Sequence, residues 1–451
     1  MSSPDVVVIG GGLAGLSASV ALADSGFQVS LFEKGPRLGG RATSYILPSG
    51  ESIDNCQHVT LGCCTNLEDF YRRVGVADKI RYHDHLVFGA SGGRRASMQP
   101  SNLPAPFHLA LSFAKFQLLS WKDRRVIARS LLGILKDGGR LRHSGPISML
   151  EWLKRQNQTQ SAIDRFWRTV LVSALNEELD RMDAAYGIAV FWKAFLSNPR
   201  GFAMGIPAVP LSELYKLSNE RIDVHTRAGV SELKVTNDGV TGIRLDDGAE
   251  VTARYYVAAV TFDRLLKMLP AAVREHEGFS SLAKLQVSPI TSVHLWFDRS
   301  VMPEPFLTSL DQTIQWVFNK ANGQHVQIVI SASRALSELS QEAIIDLCRR
   351  ELADLIPATA QAGLTRSVVI RENSATFSPE PGCDRLRPDQ RTEIRNLFIA
   401  GDWTQTGWPA TMEGAVRSGY LAAEAILELE GRTERFIRPE LPATGLARWF
   451  A

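Results

Sequence analysis

The chain has 451 residues, which is too long for one compact core of ordinary size, so its length predicts two or more lobes. Apolar residues (45%) and charged residues (22%) occur in the proportions of a globular enzyme, and a net charge of +2 disfavours a nucleic-acid-binding protein, which needs a basic face to displace counterions from phosphates. The five cysteines lack the spacing of a disulfide framework, which favours a reducing cytoplasm. The sequence contains no uninterrupted run of about 18 apolar residues, so no membrane-spanning helix is expected.

The first predicted element is a buried strand at residues 5–9, composed mainly of β-branched residues. Glycines follow in GxGxxG spacing, and an Ala-rich helix is predicted from Leu16 to Ser25. Gly10 permits a tight turn, Gly12 allows the backbone to approach a pyrophosphate, and Gly15 lets helix and strand pack closely. Because free N–H groups at a helix start stabilise an anion, this pattern predicts a dinucleotide-binding site.

The next element supports dinucleotide binding, and the one after it favours FAD over NAD. A second strand, residues 28–32, ends in Glu33, about 20 residues beyond the glycine turn, where a carboxylate accepts hydrogen bonds from the hydroxyls of an unphosphorylated ribose. Residues 37–41 then supply a second glycine turn between Arg37 and Arg41, which suits contact with the pyrophosphate from the other side.

The segment from Pro104 to Lys136, within a largely helical insert, has apolar and basic parts. Its apolar face comprises Phe107, Leu109, Leu111, Phe113, Phe116, Leu118, Leu119 and Trp121. A narrow polar stripe of His108, Ser112, Lys115 and Lys122 recurs at helical spacing, and Arg124, Arg125 and Arg129 follow. A buried core helix explains the apolar pattern, but the basic flank favours a surface that binds anionic lipid, with residues 446–450 as a second, weaker anchor.

Further along, four stretches predict a small antiparallel meander: residues 224–226, 230–235, 240–245 and 250–260. Strands are also predicted at residues 291–297, 314–318 and 326–330. Near the C-terminus, an apolar strand at residues 397–400 ends at Gly401 and Asp402, and a helix opens near Pro409 and runs to about Leu429. Asp402 is placed to bind ribityl hydroxyls, and the helix N–H groups to face the pyrimidine edge of a flavin.

These blocks together resemble the amine oxidase and phytoene desaturase superfamily. More narrowly, Asp54–His58, Met204–Tyr215 and Gly401–Glu413 resemble hydroxysqualene dehydroxylases, also called squalene-associated FAD-dependent desaturases. One departure is Cys56, where that family usually has glycine.

The resemblance implies an α/β fold in which a discontinuous Rossmann-like FAD-binding domain of glutathione reductase type carries a mixed-sheet and helical substrate domain. The expected FAD-binding domain comprises residues 1–85, 211–279 and 382–435, and the substrate domain residues 86–210 and 280–381. No metal site is expected. The residues expected to contact FAD are Gly10, Gly12, Leu13, Ala14, Gly15, Glu33, Lys34, Arg37, Gly39, Gly40, Arg41, Val230, Gly401, Asp402, Pro409, Thr411, Met412 and Glu413.

The resemblance also implies a reaction in which hydroxysqualene loses its allylic hydroxyl and gains a hydride from reduced FAD, giving squalene for hopanoid or sterol synthesis. Such chemistry requires a proton donor, a hydride within van der Waals reach and a dry cavity. The implied partners are hydroxysqualene or a similar long isoprenoid, a membrane surface and upstream squalene-synthase-like enzymes, but no nucleic acid. The implied location is the cytoplasm, at the periphery of the cytoplasmic membrane.

Each candidate catalytic residue has two possible interpretations. His58 is either the general acid, oriented by Asp54, or both side chains only hold their loop. Glu413 either donates a proton or caps its helix. Two further groups of residues are either substrate contacts or ordinary structure. The first is Asn176 to Glu178 with Tyr186, which are better explained as solvated helix residues. The second is Trp403 and Trp408, which either line a cavity or pack in the core.

Three other functions compete with this hypothesis. A carotenoid or phytoene-type desaturase would use the same fold to remove hydrogens from a similar substrate. A flavin amine oxidase needs a polar, aromatic-lined approach that the sequence does not show. A prenyl-lipid carrier of the Rab GDP-dissociation-inhibitor type shares the scaffold without redox chemistry, but intact FAD blocks at both ends of the chain disfavour it.

Overall fold

The computed structural model describes residues 4–141 and 145–451. Its strands are β1 (Val6–Ile9), β2 (Val29–Glu33), β3 (Ser44–Ile46), β4 (Ser52–Asp54), β5 (Thr60–Leu61), β6 (Ile80–His83), β7 (Leu86–Ala90), β8 (Arg94–Met98), β9 (Met204–Pro207), β10 (Ile222–Thr226), β11 (Val230–Thr236), β12 (Gly239–Leu245), β13 (Glu250–Val251), β14 (Tyr255–Ala258), β15 (Val287–Phe297), β16 (Phe306–Ser309), β17 (Trp316–Ala321), β18 (His325–Ser331), β19 (Leu364–Phe377) and β20 (Leu397–Ile399). Its α-helices are α1 (Leu13–Asp24), α2 (Thr65–Arg73), α3 (Ala110–Ala114), α4 (Trp121–Lys136), α5 (Met149–Arg155), α6 (Gln160–Ala162), α7 (Thr169–Leu175), α8 (Ala184–Val190), α9 (Phe262–Met268), α10 (Ala271–Arg274), α11 (Glu277–Ser280), α12 (Gln341–Leu355) and α13 (Met412–Leu429).

A five-stranded parallel sheet, in the order β10-β2-β1-β14-β20, forms the centre of the nucleotide-binding half. Every residue of β1 is buried, because helices cover both faces of a parallel sheet of this kind. The strands come from three separate parts of the chain, as the discontinuous Rossmann-like prediction requires, and the predicted α/β fold class is confirmed. The residue boundaries proposed for the two domains remain a prediction.

A seven-stranded mixed sheet, in the order β19-β15-β18-β17-β16-β7-β8, forms the second half. All its neighbouring strands are antiparallel except β7 and β16. Alternate residues of β15 and β18 face opposite sides, and one side packs against α12 in an apolar cluster that includes Val293, Ile328 and Cys348. The other side faces the nucleotide-binding half and the helical insert, so a site can form between them.

The predicted meander is correct only in its middle. β11, β12 and β13 form a three-stranded antiparallel sheet, but the first stretch is β10, an edge strand of the parallel sheet. The last stretch contains β14, which lies between β1 and β20 and is buried at all four residues. The turn dipeptides correctly indicated the turns that join β11, β12 and β13. β14, however, is buried on both faces, as is typical of a strand in a parallel sheet.

The apolar face predicted within the segment from Pro104 to Lys136 is divided by the structure. Leu109, Phe116, Leu118 and Leu119 are buried in the main hydrophobic core, whereas Leu111 and Trp121 are exposed. The segment is interrupted between α3 and α4, and α4 begins with a capping box between Ser120 and Asp123. The helices in the described part of the chain include none that is long and apolar enough to cross a bilayer.

His108 does not belong to a polar stripe, because its ring is fully buried and neither ring nitrogen has a hydrogen-bond partner among the described residues. Burial lowers the pKa of His108 to about 4. The unfolded chain therefore binds a proton below pH ~6.5 that the folded chain does not, and stability is lost as the pH falls from there towards 4.

We expect His108→Leu to be more stable than the parent by about 2 kcal/mol at pH 5. The reason is that pH 5 lies about 1.5 units below the ordinary pKa of histidine, and each unit costs the parent about 1.4 kcal/mol because only its unfolded chain binds the proton. At pH 7.5 the advantage should be smaller, since both imidazoles are then neutral. The measurement is urea unfolding at the two pH values, with the exposed His85→Gln as the matched control. An advantage that does not grow on acidification would contradict the assignment.

Candidate active site

The two glycine turns predicted from the sequence lie against each other. The Gly39 N–H donates to the Gly11 carbonyl at 2.8 Å, and Gly12 and Gly39 form a parallel bridge. Gly40 has a φ of +59°, and a Cβ there would lie 3.0 Å from the Gly12 Cα. The turns therefore make one continuous backbone surface above the start of α1, whose first turn contains the buried residues Leu13 and Ala14.

The glycines of the first turn have different roles. A Cβ at Gly15 would lie 1.9 Å from the Gly10 carbonyl oxygen, so this position needs glycine for helix and strand to pack. A Cβ at Gly12 would meet nothing closer than the Gly40 Cα at 3.9 Å. Glycine at position 12 thus leaves space that the protein itself does not fill, as backbone approach to a pyrophosphate requires, and the residues fit the FAD that the motif predicts.

Glu33 lies at the end of β2, beside the backbone surface that the two glycine turns form. Its carboxylate accepts hydrogen bonds from the N–H groups of Gly11 at 2.7 Å and Gly35 at 2.6 Å. The Glu33 carbonyl accepts from Ala228 at 2.9 Å, which brings the start of β11, and with it Val230, to the same edge. Lys34 lies at the surface, 3.9 Å from Asp246. The structure thus gathers the residues predicted to bind the adenosine half of FAD.

An ion pair between the partly exposed Arg41 and the buried Asp402 joins the second turn to the C-terminal strand. Arg41 donates to the Asp402 carboxylate at 2.6 Å and to the Ala375 carbonyl at 2.8 Å. Arg37 instead donates to the Ser44 carbonyl at 3.3 Å. Since Asp402 follows Gly401 shortly after β20, the ion pair links the two ends of the chain at the predicted FAD site. Contacts of Arg37, Arg41, Gly401 and Asp402 with FAD itself stay predictions.

Arg387 is a residue that the sequence analysis missed. Its guanidinium is buried and donates to the carbonyls of Asp402 (3.1 Å), Thr404 (2.6 Å) and Trp408 (2.8 Å). One side chain thereby organises the whole turn between β20 and α13. No local motif marks an arginine of this kind, because its partners lie 15 to 21 residues further along the chain.

Glu413 caps a helix, but not its own. The N-cap of α13 is Thr411, whose hydroxyl accepts from the Gly414 N–H at 3.0 Å, and Pro409 and Met412 flank it. The Glu413 carboxylate is buried and accepts instead from Leu67 at 2.8 Å and from both Asn66 nitrogens, at the N-terminus of α2. Burial raises the pKa of Glu413, and its hydrogen bonds are those of a structural carboxylate.

The structure does not place the Asp54 carboxylate on His58. Its oxygens accept from the Ser44 hydroxyl at 2.8 Å, the Leu211 N–H at 3.0 Å and the Lys320 ammonium at 3.0 Å. The His58 ring lies 3.1 Å from the Cys56 carbonyl, to which Nδ1–H must donate because a carbonyl only accepts. Burial lowers the pKa of His58, which favours the neutral imidazole and opposes a general-acid role.

A pair of buried histidines ties this loop to the seven-stranded sheet. His294 Nε2–H donates to the Asp54 carbonyl at 3.1 Å, so its Nδ1 accepts from His325 Nε2–H at 3.0 Å. Burial lowers the pKa of His294 to about 4 and that of His325 to about 3. Both rings are therefore neutral, and they fix the loop relative to the sheet.

An apolar cavity, open to solvent on one side, lies between the loop, the seven-stranded sheet and the helical insert; the space within it, counted together with the open solvent at its mouth, is about 1110 Å³. Gln57, Val59 and Leu61 line it, so the alternation of an extended chain turns His58 away from the cavity. The amide oxygen of Gln57 accepts from Lys320 at 2.8 Å. Gln57 and Lys320, which the sequence analysis also missed, thus mark the end of the cavity nearest the predicted FAD site.

Other sequence candidates have structural positions. Trp403 and Trp408 are buried outside the cavity lining, and their ring N–H groups donate to Val260 and Glu440. The remaining candidates contact partners within the fold: Asn176 bonds Ser288, Thr376 and Ala332, Glu177 pairs with Arg334, Glu178 pairs with Arg168, and Tyr186 bonds Asp384 and Arg387. The expectation that Asn176 and Glu177 are solvated is wrong, since both are buried between the helical insert and the sheet.

The chain is similar to known proteins in sequence and in fold. The family described as flavin containing amine oxidoreductase matches residues 13–427. The chain is 27% identical to a 15-cis-phytoene desaturase of an Oncidium hybrid cultivar, covering 94% of this chain and 78% of the relative. It is 28% identical to a zeta-carotene desaturase of Synechocystis sp., covering 95% and 98%. Among solved structures, a putrescine oxidase triple mutant matches with a TM-score of 0.72 at 16% identity, covering 95% of this chain and 99% of that one.

Proposed function

Because the chain belongs to the family of flavin-containing amine oxidoreductases, and is an FAD-dependent oxidoreductase, we propose that it is a desaturase of a long isoprenoid chain of the carotenoid-precursor type. The observation that carries the proposal is the similarity, along 94–96% of this chain, to phytoene and zeta-carotene desaturases. The large apolar cavity supports it, because a hydrocarbon chain needs apolar walls along its length.

The hydroxysqualene dehydroxylase prediction is wrong at the level of the reaction. The curated relatives are phytoene and zeta-carotene desaturases, which match the rival prediction. The blocks that suggested dehydroxylation have scaffold roles: Asp54 bonds Ser44 and Leu211, and Glu413 caps α2. Residues that hold the fold can be shared by enzymes that use the flavin in opposite directions, so they do not report the direction.

Desaturation removes a hydride and a proton from neighbouring carbons. When bound, FAD would supply the two-electron acceptor for the hydride and, on becoming FADH2, would also take up the proton. The residues of this chain would hold the substrate and exclude water: Phe166, Val170 and Phe318 are among the apolar side chains that line the cavity. Among the described lining residues the only charged one is Arg165, so no carboxylate is present to pair with a substrate ammonium, which disfavours an amine substrate.

The proposal is tested with oxidised, FAD-loaded protein, liposomes containing phytoene or zeta-carotene, and a quinone as final electron acceptor. We expect a product that has lost two hydrogens by mass and absorbs at longer wavelength. Putrescine, and hydroxysqualene with dithionite-reduced protein, serve as comparison substrates. Turnover of either comparison substrate without any desaturated polyene would overturn the proposal.

We further propose that the protein binds a membrane surface through one apolar patch, defined as Leu103, Phe107, Leu111, Trp121, Leu446 and Trp449. All six side chains are exposed, Trp121 at 70% and Trp449 at 75%. The two parts of the patch lie together because the Leu446 N–H donates to the Ala105 carbonyl at 2.9 Å. The exposed Lys122, Arg125 and Arg129 follow in α4, where each gains about 1 kcal/mol near anionic lipid.

We expect flotation with anionic liposomes to fall with salt and with Leu111→Glu/Trp121→Glu. Phe113 and Phe116 are unsuitable targets, because Phe116 is buried and Phe113 packs edge-on against Phe166. The matched control is Leu429→Glu, an exposed leucine at the end of α13 outside the patch. The double variant must retain FAD. Equal flotation of the parent and the double variant, or none by the parent, would refute membrane binding through this patch.

A further inference from the structure

The apolar cavity has one polar group that the protein leaves without a partner. Thr308 lines the cavity from β16 and is 1% exposed, and its hydroxyl has no hydrogen-bond partner among the described residues. A buried hydroxyl without a partner is unfavourable, and valine would fill the same volume without that cost. The hydroxyl is therefore explained by a ligand group that reaches it.

Thr308 lies at the end of the cavity away from the predicted FAD site. On β17, Trp316 pairs with Thr308, and Lys320 contacts Gln57 at the other end. Four residues of strand separate Trp316 from Lys320, a distance of about 13 Å at ~3.3 Å per residue. The loop that carries Gln57 also contacts the second glycine turn, because the Asn55 amide donates to the Arg41 carbonyl at 2.6 Å. The two ends of the cavity are therefore chemically distinct.

Two polar side chains of the cavity lining, Ser173 and Arg165, are already occupied by other groups. Ser173 accepts from the Trp316 ring N–H at 2.7 Å and donates to the Thr169 carbonyl at 2.8 Å. Arg165 forms an ion pair with Asp311 at 2.8 Å, and Asp311 lies in the loop that follows β16. Neither side chain is a hydrogen-bond partner of Thr308, and a ligand group inside the cavity can supply the missing partner.

We propose that the substrate carries an oxygen function, a hydroxyl or a carbonyl, at the end of its isoprenoid chain that lies away from the predicted FAD site, and that Thr308 binds it. The inference rests on the proposed function and refines its substrate class. The oxygen at Thr308 sets how far the chain enters, and hence which carbon–carbon bond lies beside Gln57. An unsubstituted hydrocarbon such as phytoene can occupy the same cavity, but it leaves the Thr308 hydroxyl unpaired and should therefore bind more weakly.

The test is equilibrium binding to the FAD-loaded protein, followed by quenching of tryptophan fluorescence, since Trp316 lines the cavity. The probes are geranylgeraniol and the matching hydrocarbon without the hydroxyl, each in the same detergent micelles. We expect the parent to bind the alcohol about threefold to tenfold more tightly, the range of one neutral hydrogen bond. Thr308→Val should remove this preference and leave hydrocarbon affinity unchanged or higher.

The matched control is Thr169→Val, which also alters a cavity-lining threonine, but one whose hydroxyl already donates to the Asp164 carbonyl at 3.3 Å. It should keep the preference for the alcohol. No preference in the parent, no binding of either probe, or a preference that survives Thr308→Val would overturn the proposal. Binding is measured without turnover, so the result is separate from the product analysis that tests desaturation.

Discussion

Gly12→Val is expected to give folded protein that retains less than about a tenth of the parent's FAD, because the side chain would occupy the space through which the backbone approaches the pyrophosphate. The fold should tolerate it, since Gly12 has a φ of −77° and a ψ of 174°, which valine adopts readily. A Cβ at this position would meet nothing in the protein closer than 3.9 Å. The measurement is the flavin-to-protein absorbance ratio after purification, beside the far-ultraviolet circular dichroism spectrum.

The control for Gly12→Val is Gly133→Val, in α4, where a Cβ has no neighbour within 4 Å and is therefore accommodated as easily. It should retain the parent's FAD. Gly15→Val should instead fail to fold, because its Cβ would lie 1.9 Å from the Gly10 carbonyl oxygen. A Gly12→Val protein that is fully loaded with FAD would show that the pyrophosphate site has been assigned to the wrong turn.

Arg387→Lys is expected to lower the free energy of unfolding by about 3 kcal/mol or more and to weaken FAD retention. A lysine ammonium cannot span the carbonyls of Asp402, Thr404 and Trp408 as the planar guanidinium does. Those buried carbonyls would lose their donor, and the turn that carries Asp402 would lose its shape. Urea unfolding with and without added FAD measures both effects.

Arg385→Lys is the matched control, because Arg385 is exposed and lies two residues away in the same segment. Its stability and FAD content should equal those of the parent. Should Arg387→Lys unfold at the parent's urea midpoint, the proposed dependence of the β20–α13 turn on this single guanidinium would be wrong.

The nucleotide-binding half was predictable because its signals are local. Gly10, Gly12, Gly15 and Glu33 lie within one strand-turn-helix-strand unit, where sequence spacing determines geometry. α1 nevertheless begins at Leu13, three residues before the predicted start, since Gly12 is its N-cap. β10 and β14 were placed in the wrong sheet, because a short apolar run does not show which strands will lie beside it.

The substrate side was less predictable because its contacts are long-range. Whether His58 or Gln57 faces the cavity depends on a one-residue alternation that no sequence pattern near the loop determines. The unpaired state of Thr308 depends on what surrounds it in space. Likewise, the apolar run before α4 does not show which side chains the core buries, so Phe116 and Leu111 were assigned to one face although only Leu111 is exposed.

The proposed function requires that the substrate reduces the flavin, and not the reverse. An anaerobic single turnover measures this direction. Oxidised, FAD-loaded protein is mixed with zeta-carotene or phytoene in liposomes, the flavin absorbance near ~450 nm is followed, and the lipids are extracted. We expect loss of that absorbance, with one new carbon–carbon double bond per flavin reduced. Flavin that stays oxidised with every polyene, while the reduced protein is reoxidised by hydroxysqualene and yields squalene, would contradict it.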